Sequence, residues 1–571
     1  MRHLSAILFC AMMSAGILYA QTQPNDSTLS RTVVVENQYN PEVMDAYKVN
    51  VLPKVEEPAA AKKGIDYATS VRPLTGWKSS PMELVSGELK REKALPGYGR
   101  VAYGNRNNTD LKLSYLWDFT DRDQLGIMGS FYGFCGDVAS FDEGEWDSNY
   151  NIGEAKSRFF RSDFLLDYKH QFEKMSLSSG GSFGSQVFNY MPYANADPAF
   201  TLRPAVNQRY SMGEGYIGIA SVEGVFPLDF ALQTGLRGFG VKHAMPFLPE
   251  TSQKTVHSSG FIDATIDENR QVGVGFVMDN VMYDTDWKDY TLLQLNPYYT
   301  YQTEALQMRL GGYVDWQSAN GSGIKAAPDV RMDYTFSDSY VVYVHAGGGA
   351  QLNDLYQLND ITPYWMSLQQ LHSSYTYLDA SVGLKGSPIT GLKFNLYGGC
   401  KVVKDEVFAL PGRADNYEET SDSAPSTPDS FCTLLNQNDV NVAYAGGGLE
   451  YGYRDLFDFS LKGEYNNWHP DGNPDVLTVL KPEFTLDAYV TGKLMNDLRI
   501  GAVFQYESRV KTDGYKKLEP VSNLSVFADY GLFNRVNVFV RLNNLLNKDY
   551  ITSTGYRIQG FNAMAGISCR F

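Results

Sequence analysis

The sequence predicts an all-β fold: a transmembrane β-barrel of about 22 antiparallel strands, preceded by a short irregular N-terminal tail. Three observations predict it. Apolar and polar residues alternate with period two from residue 98 to the end. No stretch approaches the roughly 18 consecutive apolar residues that a spanning helix needs. Tyr (39), Phe (31) and Gly (52) are abundant while the formal net charge is −16. Lipid admits only helices and closed barrels, because each backbone polar group must find its partner within the protein. The acidity argues against nucleic acid as a partner.

The chain opens MRHLSAILFCAMMSAGILYAQ. Arg2 and His3 form a short basic region, Leu4 to Tyr19 an apolar core, and Ala20 a small residue before Gln21. This is the pattern of a removable export signal over residues 1–20, with the tail then occupying 21–97. The tail is punctuated by Pro41, Pro53, Pro58, Pro73, Pro81 and Pro96, and KVEEPAAAKKG reads as a flexible linker. Within it, Thr32, Val33, Val34, Val35 and Glu36 form a β-prone strand placed to dock on the sheet edge of another protein.

From residue 98 the alternation is explicit. In ALQMRLGGYVDW, Leu306, Met308, Leu310, Val314 and Trp316 share one face, while Gln307, Arg309 and Asp315 share the other. RVNVFVRLNN does the same with Val536, Val538, Val540 and Leu542 against Asn537, Arg541 and Asn543. A lipid-facing exterior and a wet lumen require this contrast. The first strand is expected near Gly99 to Asn105. The connections give an independent check, because barrels carry short turns at one end and long loops at the other. FTDRDQ, QFEKM, VEGVFP, IDENRQ, QTEA, FSDS, KGSPITG, YRDLF, KLMND and LFNR form a short, periplasmic set. The long, extracellular set contains Gly136–Lys156, Met191–Ala205, His243–Lys254, Leu352–Gln369, Asp405–Phe431 and Asn466–Pro474. Trp287 and Trp316 are expected at the outer girdle and Trp117 at the inner one.

The last strand ends on Phe571, and Phe561, Ile567, Cys569 and Phe571 share its lipid face. A terminal aromatic of this kind is expected to be read by the barrel-assembly machinery. LNNLLNKDY and the ending GYRIQGFNAMAGISCRF resemble the closing strands of TonB-dependent receptors. The likeness departs where the family commonly has Pro-Gly-Arg and this chain has Arg557-Ile558-Gln559-Gly560. Gln21 after the leader and the Tyr-rich style resemble outer-membrane proteins of the Bacteroidota. The resemblance implies an outer-membrane location, transport, and the plug domain of well over a hundred residues that closes the family's barrels. Gln21 to Tyr98 is only 98 − 20 = 78 residues, so the barrel is expected to lack a full plug.

The resemblance also makes Thr32–Glu36 a candidate TonB box. Two functions therefore stand side by side. One is transport across the outer membrane. The other is a plugless accessory barrel whose tail docks a periplasmic or lipoprotein partner in a larger assembly.

Candidate sites are few. Cys400 and Cys432 bracket the longest loop, and export permits a disulfide between them, although parity along LKFNLYGGC turns Cys400 toward lipid. The acidic residues of that loop read as solvated charge. Trp146, Trp365 and Trp468 in the loops are expected to pack loop against loop. No nucleophile motif and no metal-ligand spacing occurs, so neither catalysis nor a cofactor is expected.

Overall fold

In the computed structural model the described residues are 95–139, 154–191, 207–222, 226–243, 250–337, 339–367, 369–414, 430–472, 481–509, 519–548, 550–553 and 556–571. Residues 1–94, with the expected leader, nearly all of the expected tail and the candidate docking strand Thr32–Glu36, lie outside them, as does Trp146.

The strands run β1 (Gly97–Gly104), β2 (Thr109–Thr120), β3 (Asp123–Ala139), β4 (Glu154–Gln171), β5 (Met175–Asn189), β6 (Asn207–Ser221), β7 (Leu228–Val241) and β8 (Thr251–Asp267). There follow β9 (Arg270–Tyr283), β10 (Tyr290–Gln302), β11 (Leu306–Gln317), β12 (Gly323–Ser337), β13 (Tyr340–Gln351) and the two-residue β14 (Trp365–Met366). The series continues with β15 (Ser374–Ile389), β16 (Leu392–Ala414), β17 (Ser430–Tyr453), β18 (Phe457–Pro470) and β19 (Phe484–Met495). It ends with β20 (Leu498–Glu507), β21 (Val521–Phe533), β22 (Val536–Asn543), β23 (Ile551–Ser553), β24 (Tyr556–Arg557) and β25 (Asn562–Arg570). The main sheet has 23 strands, of which β14 is a short addition, leaving 23 − 1 = 22 in the wall. Each wall strand pairs antiparallel with its neighbours, and β1 pairs with both β2 and β25, so no edge is left open.

The alternation produces the wall as expected. Val101, Leu113, Phe183, Leu236 and Ile262 are each more than half exposed, and they belong to the lipid belt. All ten predicted short connections fall between consecutive strands at one end of the barrel. Gly391, in the turn joining β15 to β16, has φ of +84° and lies against the Gly452 carbonyl, so only glycine fits there. Trp117 stacks on Phe119 near the turn end, and Trp316 lies exposed near the long-loop end. Ile567 and Phe571 face outward, and Phe571 exchanges backbone hydrogen bonds with Gly97 across the seam, at 2.8 and 3.0 Å.

Four expectations are corrected. The first strand begins two residues early, at Gly97. Trp287 packs with Tyr283 onto a buried cluster at the long-loop end instead of facing lipid.

Both ends of Asp405–Phe431 are strand and not loop: β16 and β17 continue as a tall hairpin to Ala414 and from Ser430. Along its first arm Val407 and Ala409 meet one buried cluster while Phe408 and Leu410 meet another. With both faces apolar, the period-two contrast that marks a strand disappears.

Cys400 and Cys432 do not pair. Cys432 lies opposite Gly412, which is 412 − 400 = 12 residues up β16 from Cys400. That separation is about 40 Å at strand rise, whereas a disulfide needs Cα atoms within about 7 Å. The Cys432 thiol is buried beside the Met366 sulfur, at 3.8 Å.

Candidate functional site

The mouth at the long-loop end is capped from within. The segment joining β13 to β15, read from sequence as a long extracellular connection, turns into the barrel and forms helix α1 (Leu355–Ile361). Asp354 caps the helix by accepting from the Gln357 amide at 3.0 Å. Gln253 on β8 grips the same helix start from the wall. Its amide nitrogen donates to Asp354 at 2.8 Å and its oxygen accepts the Leu355 N–H at 2.7 Å, all three groups being buried.

The grip continues around the wall. The Tyr356 hydroxyl lies 2.7 Å from the Gly238 carbonyl on β7 and accepts the Gly213 amide of β6 at 3.2 Å. Gly213 is 213 − 207 = 6 residues below the upper end of β6, so the Tyr356 side chain reaches about 20 Å down that strand, while Gln253 holds the helix start only 253 − 251 = 2 residues below the upper end of β8. Burial pushes the Tyr356 hydroxyl up to about 12, so it stays neutral and remains a donor. Asn359 donates to Gln186 of β5 at 3.3 Å, and Tyr210 of β6 donates to the Pro363 carbonyl at 3.1 Å.

Two further elements complete the cap. β14 pairs in parallel with Thr433–Leu434 at the top of β17, which anchors Trp365 at zero exposure. This agrees with the expected packing of Trp365, and Trp468 likewise packs and donates to the Pro482 carbonyl at 3.1 Å. The tall hairpin leans inward from an irregularity between Val403 and Glu406, where Asp405 has φ of +56°. Its Phe431 amide donates to the Met191 carbonyl at 2.9 Å. The last long loop adds Tyr556, whose ring stacks on Tyr364 at 3.4 Å and whose hydroxyl bonds the Phe431 carbonyl at 3.1 Å. Leu355, Leu358, Trp365, Phe188, Tyr210 and Phe239 form the core between cap and wall. Each such side chain contributes about 2 kcal/mol by burial.

Below the cap the wall is lined by a repeated device that the sequence did not disclose. A Tyr on one strand lies over a Gly on the next, and its hydroxyl bonds a polar group on the strand beyond. Tyr216 covers Gly180 and reaches Asp167 in the same row. Tyr298 covers Gly273 and reaches Asp263. Tyr397 covers Gly446 and reaches Glu464 at 2.6 Å. Two rows run diagonally: Tyr444 over Gly399 to Asp379 at 2.6 Å, and Tyr343 over Gly383 to Asn395 at 2.8 Å. A Cβ on Gly180, Gly399 or Gly446 would stand 2.6–2.9 Å from the Tyr ring, so the ring lies flat only because glycine is there. The abundant Tyr and Gly therefore have a shared purpose. They tile a polar wall while keeping bulky rings out of the lumen.

Ion pairs fill the remaining luminal positions. Arg309 donates to Asp329 at 2.8 Å and to Asn296 at 2.7 Å, and its guanidinium lies 3.5 Å above the Tyr298 ring. Asp333 binds Lys385 at 2.7 Å and His345 at 3.0 Å. Among the described residues no group of three or more His, Cys, Asp or Glu side chains is placed to hold a metal.

No family model matches the chain, and no curated protein matches it in sequence. Solved structures do. The siderophore receptor PirA from Acinetobacter baumannii is 11% identical with a TM-score of 0.62, over 84% of this chain and 81% of that one. A point mutant of the ferric enterobactin receptor PfeA from Pseudomonas aeruginosa, in complex with enterobactin, gives 12% and 0.63 over 83% and 81%. The copper transporter OprC gives 12% and 0.60 over 85% and 82%. The barrel has the fold of the TonB-dependent outer-membrane receptors.

Gln253 offers a local test of the cap. Gln253→Leu keeps the shape but removes the Gln253 donor from one oxygen of the buried Asp354 carboxylate and the acceptor of the Leu355 amide, at a cost of about 2 kcal/mol. Amide exchange across Leu355–Ile361 is expected to quicken about 30-fold, with the wall strands unchanged. Equal protection in the variant would mean that the cap does not hang on this clamp.

Proposed function

We propose that the protein is a gated transport barrel of the outer membrane, with its long loops outside and its tail in the periplasm. The observation that carries this reading is the combination of a wide, polar-lined wall with a cap that its own loops fold into the mouth. A barrel of this strand number has room for a solute path. The dense pairing of its charges and the flattening of its Tyr rings are what a conduit wall needs. The fold shared with receptors named for siderophores, enterobactin and copper transport supports the same reading.

Thr32–Glu36 is then the strand through which a periplasmic protein, TonB in the first instance, engages the chain by adding to a sheet edge. Phe561, Ile567, Cys569 and Phe571 supply the outward-facing ending that the assembly machinery recognises. The accessory reading keeps one specific support. The cap is a buried aromatic core tied to β5–β8, as a permanent closure would be.

The test is capture from native outer membranes on the full chain, with and without residues Arg31–Glu36. The transport reading expects the periplasmic domain of TonB to be retained by the full chain and lost from the deletion. A stoichiometric membrane or lipoprotein partner, together with no retention of TonB by the full chain, would overturn transport in favour of the accessory role.

A further inference from the structure

We propose that the outward face of β4–β8, at their long-loop ends, seats the phosphate-bearing headgroup of an outer-leaflet lipid. This goes beyond the transport reading and takes from it only the orientation, long loops outside.

Period-two parity fixes which side chains face out. Phe164 of β4, Phe183 of β5, Ile217 of β6, Leu236 of β7 and Ile262 of β8 are exposed members of the lipid belt. Arg158, Arg209, Lys242 and Lys254 share their parity on β4, β6, β7 and β8, with Lys242 one residue past the end of β7. Arg158 is 158 − 154 = 4 residues from the upper end of its strand, Arg209 is 209 − 207 = 2 and Lys254 is 254 − 251 = 3. The set therefore stands just above the apolar belt. At the upper ends of β11, β12 and β19 the same face carries Trp316, Ile324 and Phe484, all exposed. The basic sector is local.

The cations are set against one another. Arg209 lies opposite Lys242, whose amide donates to the Arg209 carbonyl at 3.0 Å. Like charges directly opposite destabilise a sheet, and an anion between them reverses the sign. Arg158 reaches across β5 to donate to Asn207 of β6 at 2.6 Å, which brings a third cation to the same strand. Its Nε is buried without a hydrogen-bond partner. Among the described residues none of the four cations is ion-paired with a carboxylate. Lys156, the next outward residue above Arg158, lies opposite Asp137 of β3.

Arg209 and Lys242 border a recess of about 560 Å³ on this face, with Ser211 and Gly240 between them and Phe183 at its lower edge. Phe183 is level with Gly213, which is 213 − 209 = 4 residues deeper than Arg209. Two carboxylates share the recess. Both oxygens of Asp284 are taken by Ser252, whose amide donates at 2.6 Å and whose hydroxyl donates at 2.7 Å. Glu250 stands above the upper end of β8. Guanidinium and ammonium groups bind phosphate oxygens through charge-assisted hydrogen bonds, and basic clusters at a membrane surface attract anionic headgroups. Free phosphate would leave Phe183 and the belt below it unused. A lipid covers both, with phosphate on the cations and acyl chains on the belt.

The experiment is native mass spectrometry of the delipidated full chain in detergent. It is titrated with diphosphorylated lipid A, with the same lipid dephosphorylated, and with inorganic phosphate. The phosphorylated lipid is expected to bind at least about tenfold more tightly than either of the others. Arg209→Gln and Lys242→Gln are each expected to weaken it about fivefold, with folding checked by heat-dependent gel mobility. Lys462→Gln makes the same charge change on the luminal face of β18 and is expected to leave binding unchanged. The proposal is overturned if no lipid A is retained, or if the dephosphorylated lipid or inorganic phosphate binds as tightly. It is equally overturned if the folded double variant of Arg209 and Lys242 keeps full affinity, or if Lys462→Gln loses as much.

Discussion

Replacing residues 354–371 by a four-residue Gly-Ser connection should turn a closed barrel into an open one. In planar bilayers the excised protein is expected to conduct at least about tenfold more than the whole chain, given the width of a 22-stranded wall. The expectation follows from where the cap is held. Helix α1 sits below the rim, pinned by Gln253, Tyr356 and Asn359 to β5–β8, on a different part of the wall from its own parent strands. Its removal takes Leu355, Leu358 and Trp365 out of the buried cluster. It also frees the top of β17 from β14 and leaves Tyr556 without its stacking partner Tyr364.

The wall should survive the excision. β13 and β15 pair directly along most of their length, so a short connection between them keeps the register. Gln253→Leu provides the milder form of the same experiment and is expected to give brief openings instead of a steady current. If excision leaves conductance at the level of the whole chain, the cap is not the barrier, and the gating half of the transport proposal falls.

What was legible in the sequence was whatever one face in water and the other in lipid imposes. Strands such as β11 and β22 announce themselves because Leu310 and Val314, or Val538 and Val540, alternate with charged and amide groups. The ten turns were readable for the same reason, since nine interrupt that contrast with Asp, Asn, Gly or Lys and QTEA does so with Glu304. The cap was not readable. Leu355, Leu358 and Trp365 stand in a segment between strands, and a seven-residue helix is too short to establish its own period. The hairpin above Asp405 was missed because both of its faces are buried, so Phe408 is as apolar as Val407.

The luminal rows fall between these cases. High Tyr and Gly counts were visible in the sequence. The pairing of each Tyr with a Gly on the next strand depends on register, which composition does not carry. Cys400 and Cys432 failed in the same way, because nearness to one loop in sequence says nothing about height along a strand.

The rows should also dominate the stability of the wall, and Gly273 is where this is most testable. Gly273→Ala puts a methyl against Asp263 and 2.5 Å from the Tyr298 ring. The ring must leave its place over β9, and with it go the hydroxyl bond to Asp263 and the Arg309 guanidinium stacked 3.5 Å above. Overpacking costs about 1–3 kcal/mol, and a hydrogen bond to a charged group about 1.5–3 kcal/mol. A loss of about 3 kcal/mol is therefore expected from this one methyl, measured by urea unfolding in lipid vesicles.

Tyr298→Ala should cost a similar amount by removing the other half of the device. In the double variant the methyl meets no ring, so its cost should fall well below the sum of the two single costs. A strictly additive cycle would show that ring and glycine act independently, and the row would then be only a coincidence of register. Displaced from the wall, Tyr298 also has only the lumen to enter. In the cap-excised background Gly273→Ala is accordingly expected to lower conductance, which ties the packing of the wall to the passage it surrounds.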